Sequence, residues 1–188
     1  MIEPASAHVA LSTGRLSGEA IVRTERRLCD LVGLYADETA RKALDQDQIV
    51  YRVEMHAVAG ESAPGGLFFG TSFLEPGRVG DEYFMTKGHF HSKREAAEYY
   101  WGVCGQGALV FMDEDRRCWV EQVAPGSLHY IPGGVAHRLC NVGDSELVVG
   151  ACWPADAGHD YSSIAERGFS ARVKRVDGRP QLVPERTP

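Results

Sequence analysis

No apolar run in this chain approaches the ~20 residues that a membrane-spanning helix needs. The N-terminus has no basic start followed by an apolar stretch, so no secretion signal is read and a cytoplasmic protein without membrane contact is expected. The cysteines are odd in number at five, and none stands as Cys-x-x-Cys. Reduced thiols packed as small core residues fit that pattern better than a disulfide framework. Positive charge is in deficit, with 20 Lys and Arg against 26 Asp and Glu, which argues against broad nucleic-acid binding. There is also no internal repeat and no low-complexity tract.

Glycine is plentiful, at 21 of 188 residues, and favours a turn-rich β protein over a helical bundle. Residues 1–48 mix short apolar runs with charges. Within them Asp37–Leu44 reads as a short helix capped by Asp37, with Ala40, Ala43 and Leu44 on one face. From Ile49 the texture turns to β-branched and aromatic runs: Ile49–Val53, Leu67–Phe69, Thr71–Leu74, Ala108–Met112, Leu128–Ile131 and Leu147–Val149. Beyond residue 105 turn signals recur about every 8–12 residues, as in a sandwich or barrel. Ser162–Gly168 reads as one helical turn closed by glycine, and Asp177-Gly178 as the turn of a terminal hairpin. The expectation is an all-β chain forming one structural domain: an N-terminal arm (1–48), a barrel (49–161) and a C-terminal extension (162–188).

One stretch carries chemistry. His89 and His91 are two apart, so on a strand they share a face while Phe90 takes the other. Glu98 and Tyr100 repeat this spacing after a connection long enough to turn the chain back. His137 follows the turn Pro132-Gly-Gly134 and can return to the same interior. Three imidazoles and a carboxylate form a borderline donor set suited to divalent iron, manganese, nickel or zinc. His8 and His56 lack ligand-type neighbours, and His129, alternating with apolar residues, reads as a strand residue rather than a ligand.

The order Gly88-His-x-His91, Glu98, Pro132, His137 resembles the two cupin motifs. Two longer segments, Val79–His91 and Trp153-Pro-Ala-Asp-Ala-Gly-His-Asp-Tyr161, resemble the cupin-type phosphoglucose isomerases, and the likeness runs from about Gly14 to about Arg175. The resemblance implies a cupin jelly-roll barrel with short helical segments, acting as a homodimer on glucose 6-phosphate and fructose 6-phosphate. It implies His89, His91, Glu98 and His137 as ligands of one divalent metal per chain, with iron(II) favoured. Ser72, Thr86 and Gly88 match positions near the phosphate; Tyr51, Tyr100, His159 and Tyr161 match the sugar pocket. Two positions depart from the family pattern. Ser72 stands where threonine is usual and keeps the hydroxyl. Trp153 stands where tyrosine is usual and offers an N–H donor with no acceptor.

Hydrogen moves between C1 and C2 either as a proton through a cis-enediol or as a metal-assisted hydride; for the first route Glu98, the carboxylate the motif places among the ligands, is the candidate base. Lys87, alternating away from Thr86 and Gly88, reads as a rim cation. The same three-histidine, one-glutamate set also serves cupin dioxygenases, and a non-catalytic sugar- or metal-binding cupin is the third reading. The phosphosugar segments favour the isomerase.

Overall fold

The computed structural model describes residues 1–58, 60 and 63–185. The strands, in chain order, are β1 (Ala7–Val9), β2 (Leu16–Gly18), β3 (Ile21–Arg27), β4 (Ile49–His56), β5 (Leu67–Leu74), β6 (Arg78–Val79), β7 (Glu82–Tyr83) and β8 (Glu98–Cys104). They continue as β9 (Gly107–Met112), β10 (Cys118–Val123), β11 (Leu128–Ile131), β12 (Ala136–Asn141), β13 (Leu147–Pro154), β14 (Ala171–Val176) and β15 (Arg179–Pro184). Two short α-helices, α1 (Glu38–Lys42) and α2 (Ser162–Ala165), and a 3-10 turn at Leu28–Leu31 interrupt them among the described residues. No helix among the described residues is long and apolar enough to cross a membrane.

The main sheet has six antiparallel strands in the order β11-β8-β13-β5-β4-β3. A three-stranded sheet, β10-β9-β12, supplies the other wall. Between them lies a core that includes Leu74, Leu109, Phe111, Ile131, Leu139 and Val149. Both β9 and β12 are buried along their whole length, so both faces of these two strands are covered, while the edge strand β10 is largely exposed. A four-stranded sheet, β15-β14-β7-β6, brings the C-terminal hairpin into the same body, and Phe169 and Val173 join the core. The result is an all-β sandwich.

Several local expectations are corrected by packing. The expected pair of strands at 67–69 and 71–74 is one strand running through Gly70, because a Cβ there would lie 2.9 Å from the Trp153 ring and only glycine leaves the indole its seat. The 147–149 run extends to Pro154 because it is paired on both sides. Residues 85–91 are not a continuous strand. They touch their neighbours through isolated bridges: Met85 with Cys140, His89 with His137, and Phe90 with Asp160. In α1 the buried residue is Arg41, not the alanine–leucine face. Its guanidinium donates to the Leu28 carbonyl (2.9 Å) and Gln46 (2.6 Å) and pairs with Glu38 (2.9 Å). Of the cysteines only Cys140 is buried; the others stand on half-covered or exposed faces.

Asp37 accepts the Ala40 amide as expected of a cap. Asp177 and Gly178 turn the terminal hairpin with positive φ values of 49° and 76°. The segment expected as an arm contributes β3 to the edge of the main sheet through pairing with β4. Its Leu16 amide and Arg15 and Arg23 side chains close over the buried Glu54 on the sheet's outer face.

Candidate metal centre and its cavity

His137 projects from β12 and Glu98 from β8, while His89 and His91 come from the bridged segment between β7 and β8. The ligand-type atoms of His89, His91, Glu98 and His137 all lie within 4.8 Å of one another. Phe90 points away, buried under the Arg94 guanidinium at 4.4 Å, so alternation survives where the regular strand does not. The turn between His91 and Glu98 is held by the His91 ring, whose Nδ1–H donates to the Ala96 carbonyl at 2.9 Å. That bond turns the Nε2 lone pair toward Glu98 Oε1, 3.4 Å away. His137 Nε2 lies 2.5 Å from the same oxygen.

Glu98 Oε1 and His137 Nε2 are both buried without a hydrogen-bond partner; their contact does not have hydrogen-bond geometry. Buried polar atoms left in this state are costly. Lone pairs of two imidazoles and a carboxylate oxygen facing one point are relieved by a cation, so the donor set fits a divalent metal on its own chemistry. The electrostatics agree. Burial, then the neighbouring His137, His159 and His91, holds His89 well below its ordinary value, which keeps the imidazole neutral. Burial pushes Glu98 upward, but His137 and His91 outweigh it and bring the carboxylate down to about 2, ready to ligate. Burial lowers His91 too, and Glu98 with the Ala96 carbonyl more than offsets it.

The cluster forms one wall of a cavity of about 130 Å³. His89, Glu98 and His137 face it; His91 stands behind. Tyr51, Ser72, Thr86, Gly88, Tyr100, Trp153, His159 and Tyr161 all line it. Tyr100 meets the His137 ring edge-on at 5.6 Å. His159 stacks on Tyr161 (centroids 5.8 Å, 7° between planes) and meets His89 at 4.4 Å. Thr86 Oγ1 accepts the Leu139 amide at 3.0 Å, which leaves its own O–H to donate. Trp153 packs edge-on to Phe68 at 5.8 Å. Lys87, expected at the rim, lines this cavity and a neighbouring one. Val53, Gly70, Leu139 and Ala151 also line it and were missed. Each of these is two positions from a named residue on the same strand, so the two-residue period was the signal; Thr71, next to Ser72, also lines the cavity and lies outside that period. Histidine 129 is held by Glu121 and Ser127 away from the cluster.

The sheet order and donor set define a cupin. The family model described as glucose-6-phosphate isomerase (GPI) matches residues 25–186. Glucose-6-phosphate isomerase of Thermococcus kodakarensis is 40% identical over 96% of this chain and 94% of its own. That of Pyrococcus furiosus is 41% identical over 96% of this chain and 95% of its own. Among solved structures, the oxalate decarboxylase of Bacillus subtilis is similar at 19% identity and a TM-score of 0.45, over 58% of this chain and 26% of that one. The chain belongs to the glucose-6-phosphate isomerase family.

Proposed function

We propose that this chain is a metal-dependent aldose–ketose isomerase interconverting glucose 6-phosphate and fructose 6-phosphate. The observation that carries this reading is one cavity where a largely buried three-histidine, one-carboxylate donor set stands beside hydroxyls, phenols and the half-buried Lys87-Gly88 turn. The relatives, named glucose-6-phosphate isomerase, support the same reaction. His89, His91, Glu98 and His137 would hold one divalent ion, iron(II) in this reading, with manganese, nickel and zinc admitted by the same donors. Such an ion, when bound, polarises a carbonyl and holds adjacent oxygens.

The remaining steps fall to the chain's own residues. The Gly88 N–H and the hydroxyls of Ser72, Thr86 and Tyr161 donate to the phosphate, while Tyr51, Tyr100, Trp153 and His159 wall the sugar. Glu98 is the candidate base, taking the C2 proton of the aldose as O1 gains a proton to give a cis-enediol, and returning its proton to C1 as the C2 hydroxyl loses one to give the ketose. Its flanking imidazoles keep it a weak base while they hold it, so a hydride shift between the same carbons is the rival route. Deuterium entering product from D2O, and lost in Glu98→Gln, supports the proton route; near-normal turnover of metal-loaded Glu98→Gln removes Glu98 as base. A homodimer working in the cytoplasm in glycolysis and gluconeogenesis completes the reading, and sedimentation tests the dimer. The deciding experiment is a coupled assay of fructose 6-phosphate conversion with and without a chelator. No conversion after adding back iron, manganese, nickel or zinc sinks the proposal.

A further inference from the structure

Beside the metal cavity lies a second one of about 370 Å³, and Lys87, Gly88 and Tyr161 line both. Three cations border it, Arg26, Lys87 and Arg138, against one acid, Asp30, which already accepts the Arg27 amide at 2.8 Å. Arg138 is 4% exposed. Its Nη2 donates to the Lys87 carbonyl at 2.6 Å, its Nη1 to the Met85 sulfur at 3.2 Å, and its guanidinium lies 4.1 Å over the Phe169 ring. Its Nε is buried without a hydrogen-bond partner. Among the described residues no carboxylate forms an ion pair with it; Glu82, whose charge reaches it, is held by Arg172 at 2.8 Å. A buried charge without an ion-pair partner is rare in proteins. A guanidinium keeps its charge in proteins, buried or not.

Alternation on β12 sends His137 to the metal cavity and Arg138 to the opposite face, beneath the Lys87-Gly88 turn. Gly88 has φ +71°, and a Cβ there would lie 2.9 Å from Arg138 Cβ and 3.0 Å from its Nε. The turn rests on the arginine because residue 88 has no side chain. The Tyr51 phenol, held at about 12 chiefly by burial and then by Tyr161, hydrogen-bonds to the Lys87 backbone, and the fields of Arg26 and Arg138 reach it and oppose that rise. The cations therefore act on the metal cavity's own lining. That cavity alone falls below the ~300 Å³ at which small-molecule sites usually begin; the two together exceed it.

We infer that Arg138, beneath the Lys87-Gly88 turn and beside the second cavity, supplies the buried positive charge for the phosphate that the isomerase reading places at Gly88. Arg138 is then a specificity-determining residue, selecting a phosphorylated hexose over a neutral one. This rests on the isomerase reading, and the test separates the two. The metal-loaded full chain and Arg138→Met are compared for fructose 6-phosphate kcat and KM, for inhibition by inorganic phosphate and by a neutral five-carbon polyol, and for metal content. The expected result is a rise of roughly 10- to 100-fold in both KM and the phosphate Ki, with kcat, polyol Ki and metal content within about threefold. Arg138→Lys restores part of the loss.

Unchanged KM and phosphate Ki overturn the inference. So does a fall in kcat at fixed KM, or phosphate inhibition that does not compete with substrate. If Arg138→Met does not fold, Arg26→Gln on the half-buried rim carries the test: a paired rise of about two- to fivefold supports the subsite, and paired constancy overturns it. A wild-type chain that binds phosphate through Arg138 yet converts no fructose 6-phosphate sinks the isomerase reading and leaves the anion subsite standing.

Discussion

His129 and His137 lie on consecutive strands, are 4% and 1% exposed, and each has a glutamate oxygen close by, at 2.6 and 2.5 Å. Their surroundings differ. The His129 ring has a partner at both nitrogens, Glu121 Oε2 at Nδ1 and Ser127 Oγ at Nε2 (2.8 Å), and Glu121 keeps 46% of its side chain in solvent. The His137 Nε2 and the Glu98 oxygen it approaches are both buried and both without a hydrogen bond. A histidine–carboxylate contact is therefore not in itself a site. What marks the cluster at Glu98 is unspent lone pairs, collected from three segments, in a place where water does not relieve them.

The largest expected effect tests that difference directly. His137→Ala should lose bound metal, read by elemental mass spectrometry, and lose isomerase turnover by about 100-fold or more, beyond the ~10–100-fold of changes around a ligand shell. A chelator should lower the Tm of the wild-type chain and leave that of His137→Ala unmoved, since only a chain that binds the ion is stabilised by it. His129→Ala should keep metal, turnover and the chelator response, and lose about 1–3 kcal/mol in urea denaturation from broken buried hydrogen bonds. Equal metal loss in the two variants would erase the distinction.

The gathering of the four ligand-type residues was legible because it rests on local rules: a two-residue period in His89 and His91 and again in Glu98 and Tyr100, and a Pro-Gly turn before His137. The period outlasted the loss of the regular strand at 85–91, since extended backbone alternates whether or not a ladder continues. The lining by Trp153, His159 and Tyr161 followed from resemblance rather than spacing. Arg138 was not legible. An arginine in an apolar strand has no distinguishing period, and its environment comes from Met85, Lys87 and Phe169, all distant in sequence. The burial of Arg41 escaped for the same reason: its partners Leu28 and Gln46 belong to other segments. The cysteines were overestimated as core residues because residue type carries no information about which strands end at an open face.

A third buried carboxylate sharpens the comparison. Glu54 is 4% exposed like Glu98, but it accepts the Leu16 amide at 2.7 Å and pairs with Arg15 at 3.2 Å and Arg23 at 3.3 Å. Burial pushes its pKa up, and the amide and the two arginines more than offset this, leaving it below the ordinary 4.5. For a carboxylate depressed in the folded state, the contribution to stability is present above the unfolded value and is lost as pH falls through the folded one. Glu54→Gln should therefore cost about 1–3 kcal/mol at pH 7. It should also flatten the decline of stability below pH 4.5, measured by urea denaturation across that range. Parallel stability curves for the two proteins would show that the pairs around Glu54 contribute nothing to acid sensitivity.

The smallest effect lies within the His129 cluster. Ser127 Oγ accepts the Ala124 amide at 3.1 Å and meets His129 Nε2 at 2.8 Å, so one hydroxyl closes both the turn and the ring. Ser127→Ala removes both contacts without removing the imidazole or its bond to Glu121. The half-covered turn admits water to the freed groups, so the expected cost is about 1 kcal/mol, with turnover, KM and metal content unchanged. A loss of activity at constant stability would mean that the His129–Glu121–Ser127 cluster reaches the metal cavity, and the separation of the two histidine clusters would fail at its most sensitive point.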